Sequence, residues 1–202
     1  MSHHKYDYIF KITLLGKYGA GKLSLIVRYI DNNFYQKTQL IRGIDFRIII
    51  KDIDKKHIKL QIWDPEPCCR RGEKIPYCYE IKGAHGLIFI YDISDLESFT
   101  YIKELINKYK NIDKKMLNKV CKILVGNKCD KKDRHVSEED GRNFADQNNM
   151  VFFETSSKDD INVHEIFEFM SKQILDNVNQ EETYIKGLLL YKNIKKEKPC
   201  CK

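Results

Sequence analysis

"LLGKYGAGKLSLIVRYI", residues 14–30, joins the end of one apolar run to the start of another through three glycines and two lysines. Tyr8 to Leu15 reads as a buried strand, and Leu25, Ile26, Tyr29 and Ile30 recur at helical spacing. Between them "GKYGAGKLS" fits the pattern GxxxxGK, a loop whose backbone N–H groups wrap an anion at a helix N-terminus. Gly16, Gly19 and Gly21, with Ala20 among them, let the backbone close on phosphate without Cβ clashes. Lys22 supplies a point charge for the β and γ phosphates. A plain tight turn is the competing reading, and the strand-loop-helix setting argues against it. The pattern continues with Ser or Thr, a hydroxyl ligand for magnesium, but here the residue is Leu23. Ser24 follows, rotated by about 100° around the helix and so a poor substitute.

Outward from this loop the chain alternates. Residues 44–53 and 57–63 form two β-rich segments separated by Asp54, Lys55 and Lys56, which predicts an antiparallel hairpin. "GLIFIYD" (86–92) precedes a helix carrying Phe99, Ile102, Leu105, Ile106 and Tyr109. "CKILVGN" (121–127) precedes a helix opened by Ser137, with Glu138, Glu139 and Asp140 in its first turn. "MVFFETS" (150–156) is the last strand and residues 161–178 the last helix. The expected fold is α/β: six strands, mostly parallel, with helices on both faces and ligands at the carboxyl ends of the strands.

Composition sets outer limits. The 202 residues are 42% apolar and 11% aromatic, enough for one sizeable core. No run of about 18 apolar residues occurs, and the opening "MSHHKYDYIFK" has no signal-peptide core, so a cytoplasmic chain is expected. Seven scattered cysteines with no CxxC pair point to reduced thiols. The net charge of +7 raises nucleic acid or an anionic membrane as partners. Only seven of the 36 basic residues are Arg, and lysines run along the whole chain without exposed aromatics among them. A solvated lysine-rich surface is therefore expected for the body, and no nucleic-acid partner.

"NKCD" (127–130) and "ETSSK" (154–158) each follow a predicted strand, and with the phosphate loop they resemble the motifs of the small GTPases. The longer matches "YDYIFKITLLG", "GIDFRI", "IKLQIWD", "KGAHGLIFIYDISDLESF", "VGNKCD" and "ETSSK" resemble the Rab branch over about residues 5–178. The resemblance implies a P-loop small G domain over 1–178, GDP and GTP as ligands, effector and regulatory proteins as partners, and a role in vesicle trafficking. It implies that Asn127 braces the loops, that the Lys128 stem covers the base, and that backbone amides near Ser156, Ser157 and Lys158 reach the guanine oxygen. Asp130 would accept hydrogen bonds from guanine N1–H and the exocyclic amine, a pattern adenine cannot match. Phe34 falls where the family places an aromatic beside the guanine. Phe46 and Trp63 match aromatics of the effector surface, with core packing the competing reading.

The sequence departs from the family around the third phosphate. In "LQIWDPEPCCRR" (60–71), Asp64 matches the acid that holds magnesium through a water. The Gly and Gln that should follow are Pro67 and Cys68, and no Gln lies between Asp64 and His85. Proline has no N–H to offer a γ-phosphate, and Cys68 cannot orient the attacking water as Gln does. The threonine expected before "GIDF" is Ile41, with Thr38 three residues away, and Tyr18 adds bulk beside the loop. Magnesium, which wants near-octahedral oxygen ligation, is then expected to be held weakly, and intrinsic hydrolysis to be very weak or absent.

The last stretch, 179–202, is expected to be a flexible basic tail ending "KKEKPCCK". The resemblance implies prenyl chains on Cys200 and Cys201, anchoring the chain to the cytosolic face of an endomembrane, since stable attachment takes two lipids. Lys202 is not among the usual endings, and an unmodified solvated tail is the competing reading. The apolar "GLLLY" (187–191) fits either packing on the domain or contact with a prenylation escort. For the whole chain, the alternative to a Rab-like regulator is a pseudo-GTPase scaffold with static nucleotide or none.

Overall fold

The computed structural model describes residues 6–35, 45–65 and 81–196. Its elements are β1 (Tyr8–Leu15), α1 (Lys22–Asp31), β2 (Asp45–Ile53), β3 (Lys56–Asp64), β4 (Gly86–Asp92), α2 (Leu96–Lys119), β5 (Cys121–Asn127), α3 (Glu138–Gln147), β6 (Val151–Thr155) and α4 (Val163–Lys196). One six-stranded sheet runs in the order β2-β3-β1-β4-β5-β6. Only the β2–β3 pair is antiparallel.

β2 and β3 close over Asp54 and Lys55, both at positive φ (47° and 64°), the two-residue geometry that matches the twist of a hairpin. Parallel neighbours need crossover connections, and β4, at the centre of the sheet, is buried along its whole length. Alternation along β4 divides the core. Ile88 and Ile90 join Phe10, Ile12 and Leu14 beneath α1 and α4, with Leu25, Ile26, Phe167 and Met170. Leu87, Phe89 and Tyr91 face α2, packing with Phe99, Ile102, Ile106 and Tyr109. Each such side chain contributes about 1.5–3 kcal/mol of burial free energy, so the sheet's two faces are fixed by register.

Asp95 caps α2, accepting from the N–H groups of Glu97 and Ser98. Ser137 caps α3 through Asp140 N–H, as its position before three acids predicts. α2 breaks at Asp113, where φ/ψ is −151°/84°. α4 passes Val178, where the expected helix ends, and continues to Lys196. Physically, residues 179–196 hold no proline and include four Lys, three Leu and two Glu; the first proline beyond them is Pro199. No helix among the described residues is long and apolar enough to cross a membrane.

The parallel register brings the carboxyl ends of β1, β3, β4, β5 and β6 to one rim. Leu15, Asp64, Asp92, Asn127 and Thr155 end their strands there.

Candidate nucleotide site

The phosphate loop leaves β1 at Gly16 and enters α1 at Gly21, which caps the helix at φ 93°. Space as well as torsion demands glycine. A Cβ on Gly21 would sit 2.3 Å from Asn127 Nδ2, and one on Gly16 2.3 Å from the Ile90 carbonyl oxygen. Inside the loop Lys22 is buried and donates to the Gly16 carbonyl at 3.0 Å. Its ammonium lies 3.6 Å from Asp64 Oδ1. A buried cation spanning a loop of backbone amides is suited to an anionic ligand.

The loops that would read the base are tied to this one. Asn127, buried at the end of β5, donates from Nδ2 to the Ala20 carbonyl at 2.9 Å and accepts from Thr155 Oγ1 at 3.0 Å. Lys128 donates to the Gly19 carbonyl at 2.6 Å and pairs with Asp92 at 2.7 Å. Ser156 Oγ donates to Asp130 Oδ1 at 2.7 Å, and Lys158 Nζ lies 3.9 Å from Asp130 Oδ2. The Ser156 N–H is taken by the Ile161 carbonyl at 3.1 Å. Ser157 is buried, its hydroxyl without a hydrogen-bond partner among the described residues. Ser24 is half-buried in the first turn of α1. Phe34 is half-buried beyond α1 and donates its N–H to Asn33 Oδ1 at 2.7 Å.

Several supports were not evident in the sequence. Asp92 accepts from Lys131 (3.0 Å) and Ser94 as well as Lys128. Burial alone would raise the Asp92 pKa, but the bonds from Lys128, Ser94 and Lys131 outweigh it and pull the carboxyl down to about 2. Arg28 of α1 reaches across to the Ser157 and Lys158 carbonyls at 2.8 and 3.1 Å. Arg134 grips Glu154 through both oxygens, at 2.6 and 2.9 Å. A signal existed for Asp92, an acid ending an apolar strand as Asp64 does. Arg28 and Arg134 carry no local signal, because their partners lie far off in the chain.

The phosphate end differs from the base end. Leu23 stands at the hydroxyl position in α1, and Asp64 faces the Lys22 ammonium. Among the described residues no group of three or more His, Cys, Asp or Glu gathers as a metal site. One carboxylate beside a lysine, with an alkyl side chain where a hydroxyl belongs, does not fit a protein cage for magnesium. Thr38, Ile41, Pro67, Cys68, Cys200 and Cys201 lie outside the described residues.

Phe46 and Trp63 pack across the β2–β3 pair with ring centroids 4.5 Å apart and planes tilted by 45°. Phe46 is 38% exposed, and Ile48 and Ile50, on the same face of β2, are 47% and 46% exposed. This face is an apolar stripe at the sheet's edge, not core.

The Ras family model matches residues 11–176. Among curated proteins the chain is similar to GTP-binding protein YPT1 of Saccharomyces cerevisiae, 40% identical across 88% of this chain and 84% of the relative. It is 41% identical to Ras-related protein Rab-1 of Theileria parva, across 87% of this chain and 79% of the relative. Ras-related protein RIC1 of Oryza sativa is 42% identical, across 84% and 82% respectively.

Proposed function

The chain belongs to the Ras family as a Rab-type small GTPase, and from that premise we propose that it binds GDP and GTP in membrane trafficking but has lost γ-phosphate sensing and hydrolysis. What carries the reading is a contrast within one site. At the base end Asp130 is already oriented by Ser156, and Asn127 locks the base loop to the phosphate loop. At the phosphate end Leu23 replaces a hydroxyl and Asp64 is engaged by Lys22.

Lys22 and the amides of residues 16–22 hold the phosphates shared by GDP and GTP. Distinguishing GTP takes groups that touch the third phosphate, and the positions for them carry Ile41, Pro67 and Cys68. Pro67 has no N–H, and Cys68 cannot place the attacking water. Asp64 is the carboxylate at this end that could face a magnesium ion, which would supply charge neutralisation there, but the Lys22 ammonium already lies beside it. Titration with fluorescent GDP and GTP, with and without magnesium, should give affinities within about tenfold of each other, and turnover should stay below about 10⁻⁴ s⁻¹. A GTP preference above about tenfold that requires magnesium overturns the proposal.

The exposed stripe of Phe46, Ile48 and Ile50 favours a second reading, a scaffold that presents this face whatever nucleotide is bound. Failure of GDP to stabilise the fold would select the scaffold. In either case the tail is proposed to bring the chain to a membrane through lipids on Cys200 and Cys201. Mass spectrometry of the protein from its own cells tests this.

A further inference from the structure

The rim opposite the nucleotide site carries a second concentration of charge. From Lys108 to Lys122 the chain holds six lysines (Lys108, Lys110, Lys114, Lys115, Lys119 and Lys122) against one acid, Asp113. In the linear sequence they look like part of a general lysine background. The fold gathers them, because α2 breaks at Asp113 and its last turns run directly into the start of β5. All but Lys122 are exposed. Asp113 is itself occupied as a local cap, accepting from the Met116 N–H at 2.8 Å.

Between the ends of α2 and α3 lies a hollow of about 300 Å³. Lys110, Lys114 and Lys122 stand on its walls with Asn148 and Asn149, and no carboxylate lines it. Lys110 donates to Asn148 Oδ1 at 2.6 Å and Lys122 to the Leu117 carbonyl at 2.8 Å, so both ammonium groups rest on neutral acceptors. Burial, and then the neighbouring Lys110 charge, lower the Lys122 pKa, which marks positive potential without a full counter-charge. From α4, Asp176 acts on the Cys121 thiol.

Two further features decide which anion suits this surface. Ile112, 51% exposed, projects among the lysines. α4 also passes this rim: Asn177 donates to Cys121 Sγ at 3.1 Å, and both line a neighbouring hollow with Lys122. The chain therefore leaves the domain beside the lysine corner. We propose that this corner is a docking surface for an anionic lipid bilayer, acting whether or not the tail bears lipid. Lysines near such a surface attract anionic headgroups, an exposed Ile can enter the interfacial layer, and the polypeptide's exit on the same side lets tail and corner engage together. Nucleic acid is less well matched, since the corner offers no exposed aromatic for stacking and Tyr109 is buried.

The test uses the full, unlipidated chain loaded with GDP and two kinds of vesicle, phosphatidylcholine alone and phosphatidylcholine doped with phosphatidylserine. Sedimentation should show salt-sensitive binding to the doped vesicles alone. The combined variant Lys110→Gln, Lys114→Gln, Lys115→Gln and Lys119→Gln should lower the partition coefficient by up to about a thousandfold while leaving the thermal midpoint nearly unchanged. A tail variant, Lys195→Gln with Lys196→Gln and Lys198→Gln, should weaken binding less than the corner variant and leave it measurable and salt-sensitive. The proposal is overturned if the four-lysine variant binds as well as the native chain, or if the tail variant alone abolishes binding. It is also overturned if the corner captures soluble polyglutamate while doped vesicles do not sediment the protein.

Discussion

Lys128 lies between two acceptors of different kinds, the Gly19 carbonyl at 2.6 Å and the Asp92 carboxylate at 2.7 Å. Its backbone is at φ 65°, an unusual conformation for a lysine, so the surrounding bonds must outweigh a local cost of about 1 kcal/mol or more. Asp92 does much of this. Two ammonium groups and the Ser94 hydroxyl and amide favour its charged form, which places its folded pKa near 2, below an unfolded value of about 3.9. A depressed carboxyl contributes stability above its unfolded pKa and loses it as pH falls through the folded one. The contribution near neutrality is about 2 kcal/mol. Asp92→Asn should therefore lower urea stability by about that amount near pH 7 and by progressively less from about pH 4 down to about pH 2. Equal destabilisation across that range would show that the carboxylate's charge is not what matters.

At the scale of elements, Asp95 anchors the start of α2 by accepting two N–H bonds, and its neighbour Glu97 pairs with Lys17 of the phosphate loop at 2.6 Å. Asp95→Ala should cost about 1 kcal/mol in chemical denaturation, with nucleotide affinity nearly unchanged because the part-exposed Asp95–Lys17 pair it removes is long at 3.4 Å and Glu97 still holds Lys17. β1, β4 and β5 were legible in the sequence to the residue, since strands buried on both faces are unbroken apolar runs with polar punctuation. The hairpin was legible as well, from polar residues between two β-branched segments. The break at Asp113 and the continuation of α4 past Val178 were not. Helix-forming residues run through both places, so nothing local marks an end. The site divided in the same way. Contiguous motifs such as residues 16–22 and 127–130 announced themselves, whereas Arg28 and Arg134 act on partners that only the folded sheet brings near.

Across the whole molecule, the sheet collects the nucleotide groups on one rim and places the lysine corner at the other, with the apolar face of β2 along an edge. Binding at the first rim should stabilise the entire fold, because the ligand's loops are rooted in β1, β5 and β6 together. At a GDP concentration of about 100 times Kd the gain should be about 2.7 kcal/mol. It should survive EDTA, since this chain's own side chains and amides supply the grip; a gain that disappears with EDTA would return magnesium to a structural role. The side-chain amide of Asn127 joins the phosphate loop to β6 while its backbone carbonyl accepts from Ile93, just past β4, so three segments meet at one residue. Strain put on either loop therefore falls on the same bolt, so a disturbance at the phosphate loop is felt at the base loop and the reverse.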